Sequence, residues 1–119
     1  MRAWALIACL CLAQGADAQQ EAARGTGAVL RSLEKVNGQV TDYELANGAS
    51  QESGRITVTL RECRYPVGNP TGEAYAYLSV SEKNRDTPVF EGWMIASSPG
   101  LSAMEHPRYD VWVLRCKTE

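Results

Sequence analysis

Apolar and polar residues alternate along much of this chain, and this pattern predicts short β-strands. The clearest segment is 55–64 (RITVTLRECR), in which Ile56, Val58 and Leu60 are separated by polar residues. Alternation with a period of two is typical of a strand that buries one face. Further strands are predicted at 28–35, 39–45, 74–81, 88–96 and 110–116.

Pairs that contain glycine mark turns between these segments. Asn37-Gly38 separates the first two predicted strands, and this pair favours a two-residue type I′ turn in which both residues have positive φ. Asn47-Gly48 and Ser53-Gly54 predict further turns, and segment 65–72, with two prolines and two glycines, predicts a loop.

The pattern as a whole predicts an all-β fold with one short helical turn. That turn is expected at 99–105, with Ser98 as its cap and Pro107 as its end. Segments 88–96 and 110–116 are apolar on both faces, which favours strands near the centre of a sheet. About six strands in roughly 100 residues predict a small antiparallel β-sandwich or a partly open barrel.

The first 18 residues have the features of a secretory signal peptide. Arg2 gives a positive start, 3–13 is an unbroken apolar run, and 16–18 (ADA) places small residues at the −3 and −1 positions. The apolar run is too short to span a bilayer, which takes about 20 residues. A lipoprotein is the alternative interpretation, because 6–9 (LIAC) resembles a lipobox, but Cys9 comes early for one.

We therefore predict cleavage after Ala18 and a periplasmic or secreted mature chain without a transmembrane segment. Segment 19–27 is polar and contains glycine, so we expect a flexible N-terminal lead-in. Residues 28–119 are then expected to form a single all-β domain.

Composition narrows the class of function. The chain has 119 residues, a formal net charge of −2, 45% apolar and 22% charged residues, which fits one small globular domain. It has no basic block, so neither nucleic acid nor an anionic membrane surface is an expected partner.

Two of the four cysteines, Cys63 and Cys116, lie outside the predicted signal peptide. A bond between them would close a loop of about 54 residues, for which chain entropy gives ~4 kcal/mol of stabilisation. A redox-active pair or a metal site is the alternative. Neither cysteine lies in a C-x-x-C motif and no histidines cluster nearby, so the residues favour a structural disulfide.

Candidate functional residues are concentrated in segment 91–112. They are Trp93, Ser97, Ser98, Glu105, His106, Tyr109, Asp110 and Trp112. Ser97 or Ser98 with His106 and Asp110 would supply the residue types of a hydrolase. The segment has no G-x-S-x-G elbow, so roles in turns and in bracing the loop are favoured.

Two other kinds of site were considered for the same segment. Metal binding by His106 with Glu105 or Asp110 is disfavoured, since the chain has one histidine, and no metal or cofactor is expected. Trp93, Tyr109 and Trp112 could form a recognition patch. The alternative places the tryptophans in the core, and we expect this for at least one of them.

The C-terminal motifs resemble those of a known family. Its signature is similar to 92–94 (GWM), 96–99 (ASSP), 101–103 (LSA), 105–107 (EHP), 109–113 (YDVWV) and Cys116, together with 28–36 and 54–63. The family is that of domain of unknown function 2155, whose members look like small exported proteins of Gram-negative bacteria. The resemblance covers nearly all of 28–116, implies no assigned reaction, and supports pairing of Cys63 with Cys116.

We therefore expect a non-enzymatic binding or structural accessory protein of the cell envelope. The loop at 97–109 is expected to present the contact surface to a protein partner. One alternative, implied by a resemblance in gene neighbourhood, is an accessory component of a respiratory membrane complex. The other is a small hydrolase that uses Ser97 or Ser98, His106 and Asp110.

Overall fold

A computed structural model describes residues 21–101 and 103–119, which form eight β-strands in two antiparallel sheets. The strands are β1 (Ala22–Arg24), β2 (Gly27–Glu34), β3 (Gln39–Ala46), β4 (Ser50–Ser53), β5 (Ile56–Pro66), β6 (Tyr75–Glu82), β7 (Phe90–Ile95) and β8 (Tyr109–Lys117). One sheet has the order β1-β5-β6-β7, with β4 also paired to β5, and the other has the order β3-β2-β8. The all-β prediction is confirmed as an open sandwich. The predicted signal peptide and its cleavage site lie outside the described residues.

The core lies between the two sheets. Ile56, Val58 and Leu60 of β5 are fully buried, as the alternation in this segment predicted. Other strands contribute Ala28, Leu30, Ala76, Leu78, Val80, Val111 and Val113. Burying a valine, leucine or isoleucine side chain stabilises a fold by about 1.5–3 kcal/mol, so these residues hold the two sheets together.

Two β-bulges turn the cysteines toward this core. Because Cys63 lies three positions after the buried Leu60, regular alternation would place it on the outer face. The register between β5 and β6 skips Arg61, and Cys63 is fully buried. In β8 the register against β2 skips Leu114, and Cys116 is only 6% exposed. The burial of each cysteine thus depends on the extra residue of a bulge, which lies two positions before it in the chain.

The structure contains the disulfide between Cys63 and Cys116, with their Cα atoms 5.6 Å apart. Since β5 and β8 belong to different sheets, the bond crosslinks the two layers of the sandwich. The bond thus ties the last strand, β8, to the larger sheet.

The N-terminal lead-in predicted at 19–27 is partly wrong. Ala22–Arg24 forms β1, which pairs with the end of β5, and the amide of Gly25 donates to the carbonyl of Cys63 at 2.7 Å. β1 has only three residues, AAR, so its sequence is too short to show an alternation of apolar and polar side chains. Its backbone pairing with β5 forms the strand. β4 was also missed, and the loop predicted at 65–72 begins after Pro66.

The turn between β2 and β3 is not the predicted type I′ turn. Glu34 pairs with Gln39, which leaves four residues in the loop, and Gly38 but not Asn37 has positive φ. The side chain of Asn37 accepts a hydrogen bond from the amide of Gln39 at 2.9 Å. This local contact favours an Asn conformation that the type I′ turn does not use.

The two strands predicted at the centre of a sheet lie at edges. β7 ends the order of the larger sheet and β8 that of the smaller one. Their second apolar face is the outer face, which carries Trp93 and Trp112 opposite the buried Met94 and Val111. The expectation of a tryptophan in the core was therefore wrong.

The connection 96–108 runs the length of the sandwich, from the end of β7 near Ala74 to the start of β8 beside Glu34. Met104, in its middle, is 3% exposed and belongs to the core. The helical turn predicted at 99–105 is not found, as no helix forms within the described ranges. The amide of Leu101 donates to the carbonyl of Ser98 at 3.1 Å, which closes a single turn.

Candidate functional site

The residues proposed for a hydrolase lie at opposite ends of β6. The hydroxyl of Ser97 donates to the carboxylate of Glu73, just before β6. Nε2 of His106 lies 3.4 Å from Oε2 of Glu82, the last residue of that strand. An eight-residue strand spans roughly 25 Å, so the structure does not bring the serines and His106 together.

Ser97 instead forms a structural contact with Glu73. The carboxylate also accepts hydrogen bonds from the amides of Ser97, at 3.0 Å, and Ala74, at 3.2 Å. The Ser97 hydroxyl, and to a smaller extent these amides, lower the pKa of Glu73, while partial burial acts in the opposite direction. This contact joins the connection after β7 to the start of β6.

His106 uses both ring nitrogens within the fold. Nδ1 accepts hydrogen bonds from the amides of Arg108, at 3.0 Å, and Tyr109, at 3.1 Å. An accepting nitrogen carries no proton, so the network assigns the neutral ring's proton to Nε2, which faces Glu82. Both ring nitrogens therefore have partners within the fold, and through them His106 braces the loop.

Tyr109 and Asp110 also have local structural roles. Tyr109 is 2% exposed, and its hydroxyl accepts a hydrogen bond from the amide of Arg55 at 3.1 Å. A Cβ on Gly54 would lie 2.5 Å from this hydroxyl, so the β4–β5 turn needs glycine there. Oδ1 of Asp110 accepts a hydrogen bond from the amide of Val111 at 2.9 Å.

The predicted contact loop therefore presents few of its candidate side chains. The side chains of Tyr109 and His106 are buried. Ser97 and Glu105 are exposed, and Ser98 is half-buried. An open depression of about 520 Å³ borders His106, and it is lined by Arg55, Glu82, Arg85, Pro88, Val89, Glu105, Pro107 and Arg108. No group of three His, Cys, Asp or Glu residues suited to a metal ion occurs in the part of the chain that the structure describes.

The outer face of the larger sheet offers a different site around Trp93. In register across the strands, Trp93 of β7 lies beside Tyr77 of β6, and Tyr77 lies beside Glu62 of β5. The Trp93 and Tyr77 rings meet edge to face with centroids 5.3 Å apart, and the Arg64 guanidinium lies 5.3 Å from the Trp93 ring. Trp93 keeps 37% of its surface exposed.

We name this surface the Trp93 face. It comprises Arg24, Arg61, Glu62, Arg64, Tyr75, Tyr77, Glu91 and Trp93, which line two shallow depressions. One depression, of about 510 Å³, is bordered by Tyr77 and Arg61, and the other, of about 310 Å³, by Tyr75 and Arg64. Trp93 lines both of them.

Charges on the Trp93 face are only partly compensated. Glu62 lies 2.9 Å from Nη2 of Arg64 and 3.5 Å from Nε of Arg24, so two guanidinium groups share one carboxylate. Arg61 is exposed and forms no ion pair with the described residues. The face thus places cationic groups around an aromatic centre.

Sequence analysis found Trp93 but missed its neighbours. Tyr77 lies on β6 and Arg64 on β5, and only the pairing of these strands with one another and with β7 brings both residues to Trp93. Alternation with the buried Ala76 and Leu78 does place Tyr75 and Tyr77 on the outer face, but it does not show which strand lies beside them.

Comparison with known proteins places the chain among bacterial relatives. Residues 28–116 match the model of the family described as "Uncharacterized protein conserved in bacteria (DUF2155)". The chain is similar to "Uncharacterized protein RP359" of Rickettsia prowazekii (strain Madrid E), with 28% identity over 94 residues, which cover 76% of this chain and 61% of that protein. The chain thus spans less than two thirds of the relative's length. No solved structure matches.

Within residues 21–101 and 103–119, no helix has the length and apolar character needed to span a membrane.

Proposed function

We propose that this chain, which belongs to the DUF2155 family of bacterial proteins, is a non-enzymatic binding protein of the cell envelope that holds a protein partner on its Trp93 face. One observation carries the proposal, namely that the partly exposed Trp93 lies between Tyr77 and Arg64. Tryptophan, tyrosine and arginine are the residues that dominate the binding energy of protein interfaces. Their convergence on one outer face favours recognition.

The site is also preorganised. Its side chains stand on β5, β6 and β7, whose opposite faces carry the buried Leu60, Leu78 and Met94. A rigid site loses little conformational entropy on binding. The covered positions of His106 and Tyr109 favour this surface over the 97–109 loop as the contact region.

The envelope location rests on the sequence and on the disulfide. The apolar run at 3–13 and the small residues at 16–18 are those of a signal peptide. A disulfide that crosslinks the two sheets supports export, since such bonds persist outside the cytosol. Intact mass and N-terminal sequencing of the native protein should give a chain that begins at Gln19 with no free thiol. A chain that begins at Met1 in the cytosolic fraction would contradict export.

Site-specific photocrosslinking in cells tests the binding surface. A photoreactive residue at Glu91, at the border of the Trp93 face, should give a discrete crosslinked product. The same residue at Val40, 54% exposed on the smaller sheet, should not give it. Crosslinking at both positions alike would contradict the proposal.

A matched pair of substitutions distinguishes the loss of the Trp93 face from the general effect of removing an outer-face tryptophan. Trp93→Ala should abolish the product at Glu91, because it removes the centre of the site. Trp112→Ala makes the same chemical change on the outer face of the other sheet and should leave the product intact. Mass spectrometry of the product from membrane and soluble fractions identifies the partner, including any subunit of a respiratory complex.

A further inference from the structure

We infer that the Trp93 face recognises an acidic, extended segment of its partner, with a carboxylate in the depression beside Arg61 and an apolar side chain in the one beside Tyr75. This inference rests on the proposed function and adds the chemistry of the partner.

Local charge is the first argument. The chain as a whole has a formal net charge of −2, yet the Trp93 face presents three arginines against Glu62 and Glu91. Glu62 is already compensated by Arg24 and Arg64. The arginines of the face thus outnumber its glutamates by one on a protein with a net negative charge, and Arg61 forms no ion pair with the described residues. A local excess of positive charge attracts carboxylates.

The β-bulge in β5 supplies the second argument. Because the register skips Arg61, the consecutive residues Arg61 and Glu62 both line the larger depression, where regular alternation would place only one of them. Bulges commonly redirect a side chain toward a binding site. Here the bulge adds an arginine that forms no ion pair with the residues described.

The spacing of the two depressions matches that of alternate side chains in an extended peptide. Tyr77 borders one and Tyr75 the other, two positions apart on β6, which corresponds to about 7 Å along a strand. Side chains at i and i+2 of an extended peptide have the same spacing. A peptide that runs along β6 thus places alternate side chains in the two depressions.

The two depressions differ in the residues that line them, and this difference decides which side chain of the peptide each one binds. The larger one is bordered by Arg24 and Arg61, and also by Glu62 and Glu91. Glu62 is paired with Arg24 and Arg64, so Arg61 is the group there that can bind a carboxylate. The smaller one is bordered by Ala22, Tyr75 and the Trp93 ring, and its charged group, Arg64, is already paired with Glu62. It therefore suits an apolar group. The recognised pattern is an acidic residue two positions from an apolar one.

Fluorescence anisotropy with labelled peptides tests this inference on the exported chain. The probe is a ten-residue peptide in which Glu and Leu lie two positions apart and all other residues are serine. The matched control peptide has Gln in place of Glu. We expect the Glu peptide to bind about tenfold more tightly, because charge-assisted hydrogen bonds to arginine are lost with Gln. The difference should shrink as salt is raised.

Two arginine substitutions test whether Arg61 causes the preference for the Glu peptide. Arg61→Gln should remove most of the preference for Glu, whereas Arg115→Gln, an exposed arginine on the smaller sheet, should leave it unchanged. Equal binding of the two peptides, or an unaltered preference in Arg61→Gln, would overturn the inference.

Two further outcomes separate this inference from the proposed function. If the crosslink from Glu91 still depends on Trp93 but the peptides bind alike, a partner is held without acidic recognition, and only the inference fails. Polygalacturonate serves as a carboxylated glycan probe. If it binds in an Arg61-dependent way and the Glu peptide does not, the occupant is a glycan and the inference is overturned.

Discussion

At the scale of single residues, His106 acts as a hydrogen-bond acceptor at the start of β8. Its Nδ1 accepts hydrogen bonds from the exposed amide of Arg108 and the part-buried amide of Tyr109. We predict that His106→Ala lowers the free energy of unfolding by about 1–3 kcal/mol, the usual cost of unpaired amides in a partly buried site. Urea denaturation followed by circular dichroism measures it.

Two conservative variants separate the acceptor role from loss of volume at this position. Asparagine places an oxygen near the position of Nδ1, so His106→Asn should recover part of the loss. Glutamine places its amide group one bond farther out, so His106→Gln should not. Equal destabilisation by all three substitutions would show that the acceptor role is unimportant.

The Glu73–Ser97 contact gives a prediction about pH. Hydrogen bonding by the Ser97 hydroxyl holds the pKa of Glu73 below its ordinary value of 4.5. The unfolded chain then binds more protons in mild acid, so this contact stabilises the fold above pH 4.5 and stops doing so as pH falls through the lowered pKa.

We therefore expect Ser97→Ala to destabilise the protein more at pH 7 than at pH 3, because its hydroxyl no longer stabilises the carboxylate. Urea denaturation at the two pH values measures the difference. Ser98→Ala is the control and should have a smaller effect that does not vary with pH. A Ser97→Ala loss of the same size at both pH values would argue against this contact.

At the scale of strands, local alternation identified faces but not pairings. Ile56, Val58 and Leu60 were assigned correctly to one buried face, because the direction of each side chain follows from the strand period alone. Cys63 could not be placed in this way, because its burial depends on a bulge against β6. Trp93 was likewise recognised without Tyr77, since that contact depends on which strands pair.

The bulge in β8 leads to a prediction with two opposite variants. Leu114 has no partner in β2, while Arg115 pairs with Val29 and Cys116 with Ala28. Deleting Leu114 should therefore give a regular ladder that keeps the Cys63–Cys116 bond. Inserting one alanine after Leu114 should move Cys116 by one residue onto the outer face if the bulge stays, or by two residues, ~7 Å, if the ladder becomes regular. Neither position allows the bond.

Counting thiols in the unfolded, alkylated proteins by mass spectrometry distinguishes these variants. The deletion variant should have no free thiol outside the signal peptide, and the insertion variant should have two. Leu114→Ala, which keeps the chain length, is the control and should remain oxidised. An oxidised insertion variant would show that the strand absorbs the extra residue without moving Cys116.

At the scale of the whole molecule, two contacts at opposite ends hold the sheets together. The disulfide joins β5 and β8 at one end. At the other end, Tyr109 packs against the β4–β5 turn at Gly54 and accepts a hydrogen bond from Arg55. The order of strands in each sheet was beyond sequence analysis, because two edge strands with an apolar outer face have the same pattern as central ones.

The disulfide also links stability to the proposed binding site. Cys63 is adjacent to Glu62 and Arg64, which belong to the Trp93 face, so the bond fixes the part of β5 from which they project. We predict that replacing both Cys63 and Cys116 with alanine lowers the free energy of unfolding by ~4 kcal/mol, as expected for a loop of this length. Because the free energy of unfolding of small domains is about 5–15 kcal/mol in total, the variant should remain folded but unfold at a much lower urea concentration.

Wild-type protein kept fully reduced should match the variant in stability, and its binding of the Glu peptide should weaken in parallel. Identical urea midpoints for oxidised and reduced wild-type protein would mean that packing between the sheets, and not the bond, holds this end of the sandwich.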